Sequence, residues 1–138
     1  MSAKDIIHET VKTALIKDGW TITDDPYTIE FNNEFVYADL GAERVIAVEK
    51  NHDKIIVECK SFIKASPIQD FKEAFGQYMM YLPLIAKQAP EYRLYIAIDT
   101  NAHQSAFQRK IVQFLVQLHH IPLIVVDLES EEISQWIT

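Results

Sequence analysis

A chain of 138 residues with 49% hydrophobic and 24% charged side chains is long enough to bury a core without staples, and residues 1–138 read as one domain. Three glycines and five prolines argue against linkers, the apolar runs are too short for a membrane span, and the polar N-terminus is unlike a signal peptide. A single cysteine, Cys59, leaves no internal disulfide and fits the cytoplasm, while a net charge of −7 speaks against a broad basic surface for nucleic acid.

Ser2 and Asp5 have the spacing of a helix N-cap pair, and Ile7, Val11, Ala14 and Leu15 keep a helical period up to the Gly19 stop. A first helix is therefore expected over about 3–17. Trp20 to Thr23 alternates like a strand and ends at the turn signal Asp24-Asp25-Pro26. Tyr27, Ile29 and Phe31 alternate again before Asn32-Asn33, and Phe35 to Ala38 forms a short strand that delivers Asp39. Gly41 permits a bend just after it. Residues 43–49 and 54–62 then flank Asn51-His52-Asp53, which reads as a hairpin turn. These strands make an antiparallel meander.

From Ile68 the period changes. Ile68, Phe71, Phe75, Tyr78, Leu82 and Ile85 alternate steps of three and four behind Ser66-Pro67, predicting an amphipathic helix. Pro83 should kink or end it. Asp70, Glu73, Gln77 and Tyr81 form a neighbouring stripe. Residues 93–99 form a continuous apolar strand, Phe107, Ile111, Phe114, Leu115 and Leu118 mark another helix, and 122–127 is a second buried strand. Strand, helix, strand in that order closes as a parallel βαβ unit. Ile133, Trp136 and Ile137 belong to a final short strand or docking segment. The fold class is α/β, a mixed sheet of antiparallel meander plus parallel βαβ flanked by helices.

The chemistry centres on the strand over residues 54–62, where Glu58 and Lys60 interrupt a β-branched and aromatic run. Positions two apart on a strand share a face, so a carboxylate and an ammonium project together from an apolar element. Charges are rarely buried there unless they are paired, bind a metal or do chemistry. The triplet itself carries no weight, since about two acid-x-Lys/Arg triplets are expected from this composition by chance. Its placement does: in a buried strand, after a hairpin and after Asp39. The competing readings are a structural ion pair for Glu58 and Lys60, turn chemistry for Asp39, a surface amide for Gln77 and a small buried hydrophobe for Cys59.

Asp39, Glu58-x-Lys60 and a following helix bearing Gln77 resemble the PD-(D/E)xK restriction-endonuclease-like core. More closely, residues 38–43 (Ala-Asp-Leu-Gly-Ala-Glu), 57–62 (Val-Glu-Cys-Lys-Ser-Phe), 76–78 (Gly-Gln-Tyr) and Gln135-Trp136-Ile137 are similar to the XisH family. Its members are named as controlling factors for excision of the fdxN DNA element. The residue before Asp39 is Ala38 rather than proline, a departure that touches backbone shape and not a ligand. The resemblance implies a nuclease-like domain using Mg²⁺ or Mn²⁺, with Asp39, Glu58 and the Cys59 carbonyl as metal ligands. It implies Lys60 as the group that orients water or stabilises phosphate charge, Gln77 as its holder, and Glu9 as an accessory acid. DNA and a companion XisI-like subunit are the implied partners, with homo-oligomer formation left open and no membrane. The competing reading is a non-catalytic regulatory subunit that acts through protein partners.

Overall fold

The computed structural model describes residues 3–46, 51–63 and 65–138. Helix α1 (Ala3–Lys17) has the extent its periodicity predicts, whereas its Ser2 cap and the side chain of Asp5 lie outside what is described. Ile7, Val11, Ala14 and Leu15 are buried along one stripe, which lays the helix on a sheet. Gly19, at φ 94°, takes the left-handed conformation that ends the helix.

Strands β1 (Thr21–Asp24), β2 (Tyr27–Phe31) and β3 (Glu34–Ala38) follow, then β4 (Leu40–Ile46) and β5 (Asn51–Cys59). Asn32 and Asn33 both have positive φ, 49° and 67°, as a two-residue hairpin turn requires. The single expected meander is not what forms. β1 pairs with β4 and β4 with β5, while β2 and β3 pair with each other in a separate two-stranded sheet. Tyr27, Ile29 and Ala38 of that hairpin are buried in the core on one face of the main sheet, so it covers the sheet instead of widening it.

Asn51-His52-Asp53 is not a turn. Asn51 stands opposite Ile46 and His52 opposite Val45, so the three residues open β5 and the connection falls in 47–50, outside the described residues. Polar turn formers are only weakly excluded from a strand end when a neighbour offers its backbone. Gly41 makes no bend either. It lies within β4, and a Cβ there would come within 2.9 Å of the Tyr27 ring and 3.0 Å of Asp24 Oδ2. Close packing of the hairpin, rather than a special φ, calls for glycine.

Helix α2 (Pro67–Gln88) is capped by Ser66, whose side chain accepts the Gln69 N–H, and it runs through Pro83 without ending. Pro83 and Met79, whose carbonyl loses its partner, are both exposed, so water can satisfy the freed group. Then come β6 (Tyr92–Asp99), α3 (Thr100–Gln104), a 3-10 turn over Ala106–Gln108, α4 (Lys110–Leu118), β7 (Leu123–Asp127) and β8 (Glu132–Ile137).

The main sheet has the order β1-β4-β5-β6-β7-β8. β5-β6 and β6-β7 are parallel, as the βαβ reading requires, and the remaining pairs are antiparallel. The domain is mixed α/β. Leu40, Ala42, Val57, Ala97 and Ile124 form a core with α1 on one face. Ile56, Ile96, Ile98 and Val125 form another with α2 and the β2–β3 hairpin on the opposite face. α4 departs from its predicted orientation: Ile111, Phe114 and Leu118 are 59%, 63% and 56% exposed, and Val112 is the side chain it buries. Its sequence is apolar around most of the circumference, so periodicity alone did not single out the inward side.

Candidate active site

β5 ends at Cys59, short of the expected residue 62, yet the Lys60 N–H still donates to the Ala97 carbonyl at 3.0 Å. Alternation therefore continues through Lys60. Ile56 packs on the α2 side and Val57 and Cys59 on the α1 side, which assigns Glu58 and Lys60 to the face that α2 covers. Glu58 is buried, at 6% exposure.

Asp39 lies between β3 and β4, one step beyond the pair Leu40–Val57, which sets it across from Glu58. Its N–H donates to Glu58 Oε1 at 3.2 Å, and its own Oδ2 accepts the Cys59 N–H at 2.8 Å. Each carboxylate is thus anchored by a backbone amide. In extended backbone a residue's N–H and C=O leave on the same side of the strand, so the Cys59 carbonyl heads toward Asp39 as well. Two carboxylates and a carbonyl are a hard oxygen set that fits Mg²⁺ or Mn²⁺.

Lys60 donates to Glu73 Oε2 and its Nζ lies 4.0 Å from Asp70 Oδ1. Glu58, Cys59, Lys60, Ser61, Asp70 and Gln77 line a pocket of about 140 Å³. The partner of Lys60 is therefore Glu73, with Gln77 placed on the pocket wall. Asp70, only 1% exposed, had no role in the sequence reading although its helical stripe with Glu73 and Gln77 was visible there. The signal was a run of polar residues three or four apart beside an apolar face, aimed at the strand that carries Lys60. One turn further on, Tyr81 donates its hydroxyl to the Tyr37 carbonyl at 3.0 Å. Burial, reinforced by the negative charges of Glu58 and Asp39, pushes its phenol up to about 12.

The α1 side is different. Glu9 is exposed, and the helix residue that reaches Asp39 is its neighbour His8, with Nδ1 3.5 Å from Asp39 Oδ1. His8 Nε2 lies 2.8 Å from Asp25 Oδ1, and Lys12 donates to Asp25 Oδ2 at 2.9 Å. Burial acts to raise Asp25, but its contacts with Lys12 and His8 outweigh it and leave the carboxyl below its ordinary range. Cys59, beneath this group, is a free buried thiol raised well above its usual value, first by burial and then by the charges of Asp39 and Glu58. Nothing in the helical period of α1 marked His8, because it adjoins the buried stripe at Ile7 and Val11 without belonging to it.

A larger groove of about 570 Å³ lies at the opposite end of β5, beside Trp20, Arg44, Lys54 and Trp136. Its Arg44 is occupied by Asp18 and Asp53 at 3.8 and 3.5 Å and lies over the Trp20 ring. That groove also carries Asp18, Asp53, Lys54, Glu91 and Arg93, but the Asp39 end is where β5 and its parallel neighbour β6 present their C-terminal ends, the usual place for a site in an α/β sheet.

Fold and site together define a mixed α/β protein with a carboxylate pair and a lysine gathered at the end of a central strand. The chain belongs to the XisH family: the family model described as XisH protein matches residues 1–134. It is similar to the crystal structure of an XisH family protein from Nostoc punctiforme PCC 73102, at 36% identity and a TM-score of 0.87, over 97% of this chain and 100% of that one. A fdxN element excision controlling factor protein from Anabaena variabilis is 38% identical with a TM-score of 0.87, over 97% of this chain and 99% of that one. No curated protein matches the chain.

Proposed function

We propose that this chain is a cytoplasmic, metal-dependent endonuclease of the PD-(D/E)xK type that acts in the excision or rearrangement of a DNA element. Its kinship with a fdxN element excision controlling factor protein supports the pathway. The observation that carries the chemistry is the interlocked Asp39–Glu58 pair with Lys60 on the same face as Glu58.

Asp70 and Glu73 lie against the Lys60 ammonium and Asp39 and Glu58 pair at the same strand end, so with four carboxylates to one ammonium a phosphodiester would be repelled unless a cation joined them. Asp39, Glu58 and the Cys59 carbonyl would hold Mg²⁺ or Mn²⁺, which polarises a phosphate and lowers the pKa of an attacking water. Lys60, held by Glu73, keeps its charge where negative charge develops on the phosphate. Gln77 offers an amide to the pocket for a phosphate oxygen or water. Backbone anchoring of both carboxylates fixes them before substrate arrives, which spares reorganisation during the reaction.

The test is cleavage of plasmid and single-stranded DNA with Mg²⁺ or Mn²⁺, alone and with the companion XisI-like subunit. Wild type should cleave, and Glu58→Ala and Lys60→Ala should not. Cleavage that survives both substitutions would trace to a contaminant, and a silent wild type in both settings would sink the nuclease reading.

A second reading is favoured by a different observation. The exposed stripe Ile111, Phe114 and Leu118 on α4 is the kind of apolar face that meets another protein, and the acidic charge suits protein partners better than naked DNA. On this reading the chain regulates excision through a companion subunit or a second copy of itself. Leu118→Glu would then abolish co-elution with the companion, or the self-association seen by light scattering, while the chain stays folded.

A further inference from the structure

The mechanism uses one side of Asp39 and leaves the other unassigned. There His8, Asp39 and Cys59 each present a ligand atom, and the three atoms lie within 4.8 Å of one another. Tetrahedral zinc bonds of 2.0–2.3 Å put ligands about 3.3–3.8 Å apart. His8 Nδ1 and Asp39 Oδ1 are already at 3.5 Å, and the contacts to Cys59 Sγ, within 4.8 Å, need to close by no more than about 1 Å.

The arrangement around His8 points the same way. A carboxylate only accepts hydrogen bonds, so Nε2 carries the proton in its 2.8 Å contact with Asp25 Oδ1. Nδ1 faces Asp39 Oδ1 at 3.5 Å and is the ring nitrogen turned toward Cys59's side of that carboxylate. A histidine ligand whose second nitrogen donates to a carboxylate is the common support for a bound zinc, and Lys12 holds that carboxylate in turn at 2.9 Å.

We infer that His8, Asp39 and the Cys59 thiolate form a second metal site, distinct in chemistry from the all-oxygen site across Asp39 and suited to Zn²⁺ or Co²⁺. Nitrogen, sulfur and one oxygen are the donor set of a borderline cation rather than of Mg²⁺. Three protein ligands leave a fourth position, open to solvent where the His8 and Asp39 side chains remain 21% and 17% exposed. Binding forms the metal–sulfur bond and releases the thiol proton to solvent.

This inference stands apart from DNA cleavage, and its test reads no activity. The full-length chain, stripped of metal, is titrated with Co²⁺ alone and followed by absorbance and circular dichroism. Saturation at one equivalent with a near-ultraviolet sulfur-to-cobalt band is expected, and Zn²⁺ should bleach it. Cys59→Ser should remove the band. His8→Ala, at a half-buried position on the helix surface and therefore safer for folding, should weaken Co²⁺ binding strongly, and Asp25→Asn by about 10- to 100-fold. A folded wild type that develops no sulfur band, or a band that persists unchanged in His8→Ala, would overturn the site. If Mg²⁺-dependent cleavage fails while the cobalt band appears, the nuclease reading falls and this one stands.

Discussion

Asp39 faces two ways, and its two sides hold opposite chemistries one residue apart. Toward α2 lie Glu58, Lys60, Asp70, Glu73 and Gln77, a set of hard oxygens around one ammonium. Toward α1 lie His8 and Cys59, a nitrogen and a sulfur backed by Asp25 and Lys12. The difference comes from strand alternation, which sends Glu58 and Cys59 to opposite faces although they are adjacent in sequence. It teaches that the end of one strand serves two environments when a single carboxylate straddles its edge.

The largest expected effect tests whether the α2 side is chemically active. Glu58→Gln removes charge with little change in shape, and Lys60→Ala removes the ammonium. Each should lower Mn²⁺-dependent DNA cleavage by about 100-fold or more, the scale of losing one group that stabilises developing charge. Steady-state plasmid nicking measures it. Should both variants keep wild-type rates, the cleavage traces to a contaminant, the carboxylate–lysine face is structural and the comparison reduces to one metal site at most.

A stability probe comes next. Gly41 lies in β4 two residues from Asp39, and a methyl group there would meet the Tyr27 ring at 2.9 Å. Overpacking of this kind costs about 1–3 kcal/mol, and Gly41→Ala should lose that much in urea denaturation. Tyr27 belongs to the core under α2, so the strain should loosen that side while leaving the α1 core in place. Native-state hydrogen exchange would separate the two, with β2 and β3 amides opening earlier and those of α1 unchanged.

Much of this architecture was legible in the sequence, and the misses share a cause. The α1 period, the Asn32-Asn33 hairpin and the parallel β6 and β7 followed from local pattern, because each is decided by near neighbours, and of the two forms left open for the tail the strand is the one that forms. What pattern could not decide was relative placement. Tyr27 and Ile29 alternate equally well in the main sheet or in a hairpin lying over it, and α4 is apolar on more sides than it buries. In the site, Glu58 and Lys60 drew notice because charge inside an apolar strand is conspicuous, and Asp39 through its place ahead of that strand and the family resemblance. Asp70, Glu73 and His8 did not, since a polar residue on a helix looks the same whether it meets solvent or a lysine across the fold. Only tertiary packing brings His8 to Asp39, which stands 31 positions away in the chain.

Within the α2 side, Lys60 and its holder can be told apart. Glu73→Gln keeps a hydrogen-bonding group but removes the charge that fixes Lys60. A positioning role predicts a fall in kcat of about tenfold, equivalent to roughly 1.4 kcal/mol in the transition state, with KM nearly unchanged. An equal loss through KM alone would instead assign Glu73 to substrate binding.

The smallest effect is read from Tyr81, which ties α2 to the hairpin through the Tyr37 carbonyl. Its phenol is pushed from the ordinary 10.0 up to about 12 by burial and by the charges of Glu58 and Asp39. A group whose folded pKa is raised contributes its stability in full below the unfolded value and loses it as pH climbs through the folded one. Tyr81 therefore supports the fold up to pH 10 and ceases to between pH 10 and about 12. Tyr81→Phe should cost about 1 kcal/mol at neutral pH, the worth of one hydrogen bond, and should remove the last tyrosinate to appear in an absorbance titration at high pH. The same titration sharpens the two-sided comparison. Glu58→Gln takes away one of the charges that raises this phenol, so Tyr81 should ionise earlier in that variant, whereas His8→Ala, on the other face of the sheet, should leave its titration where it is.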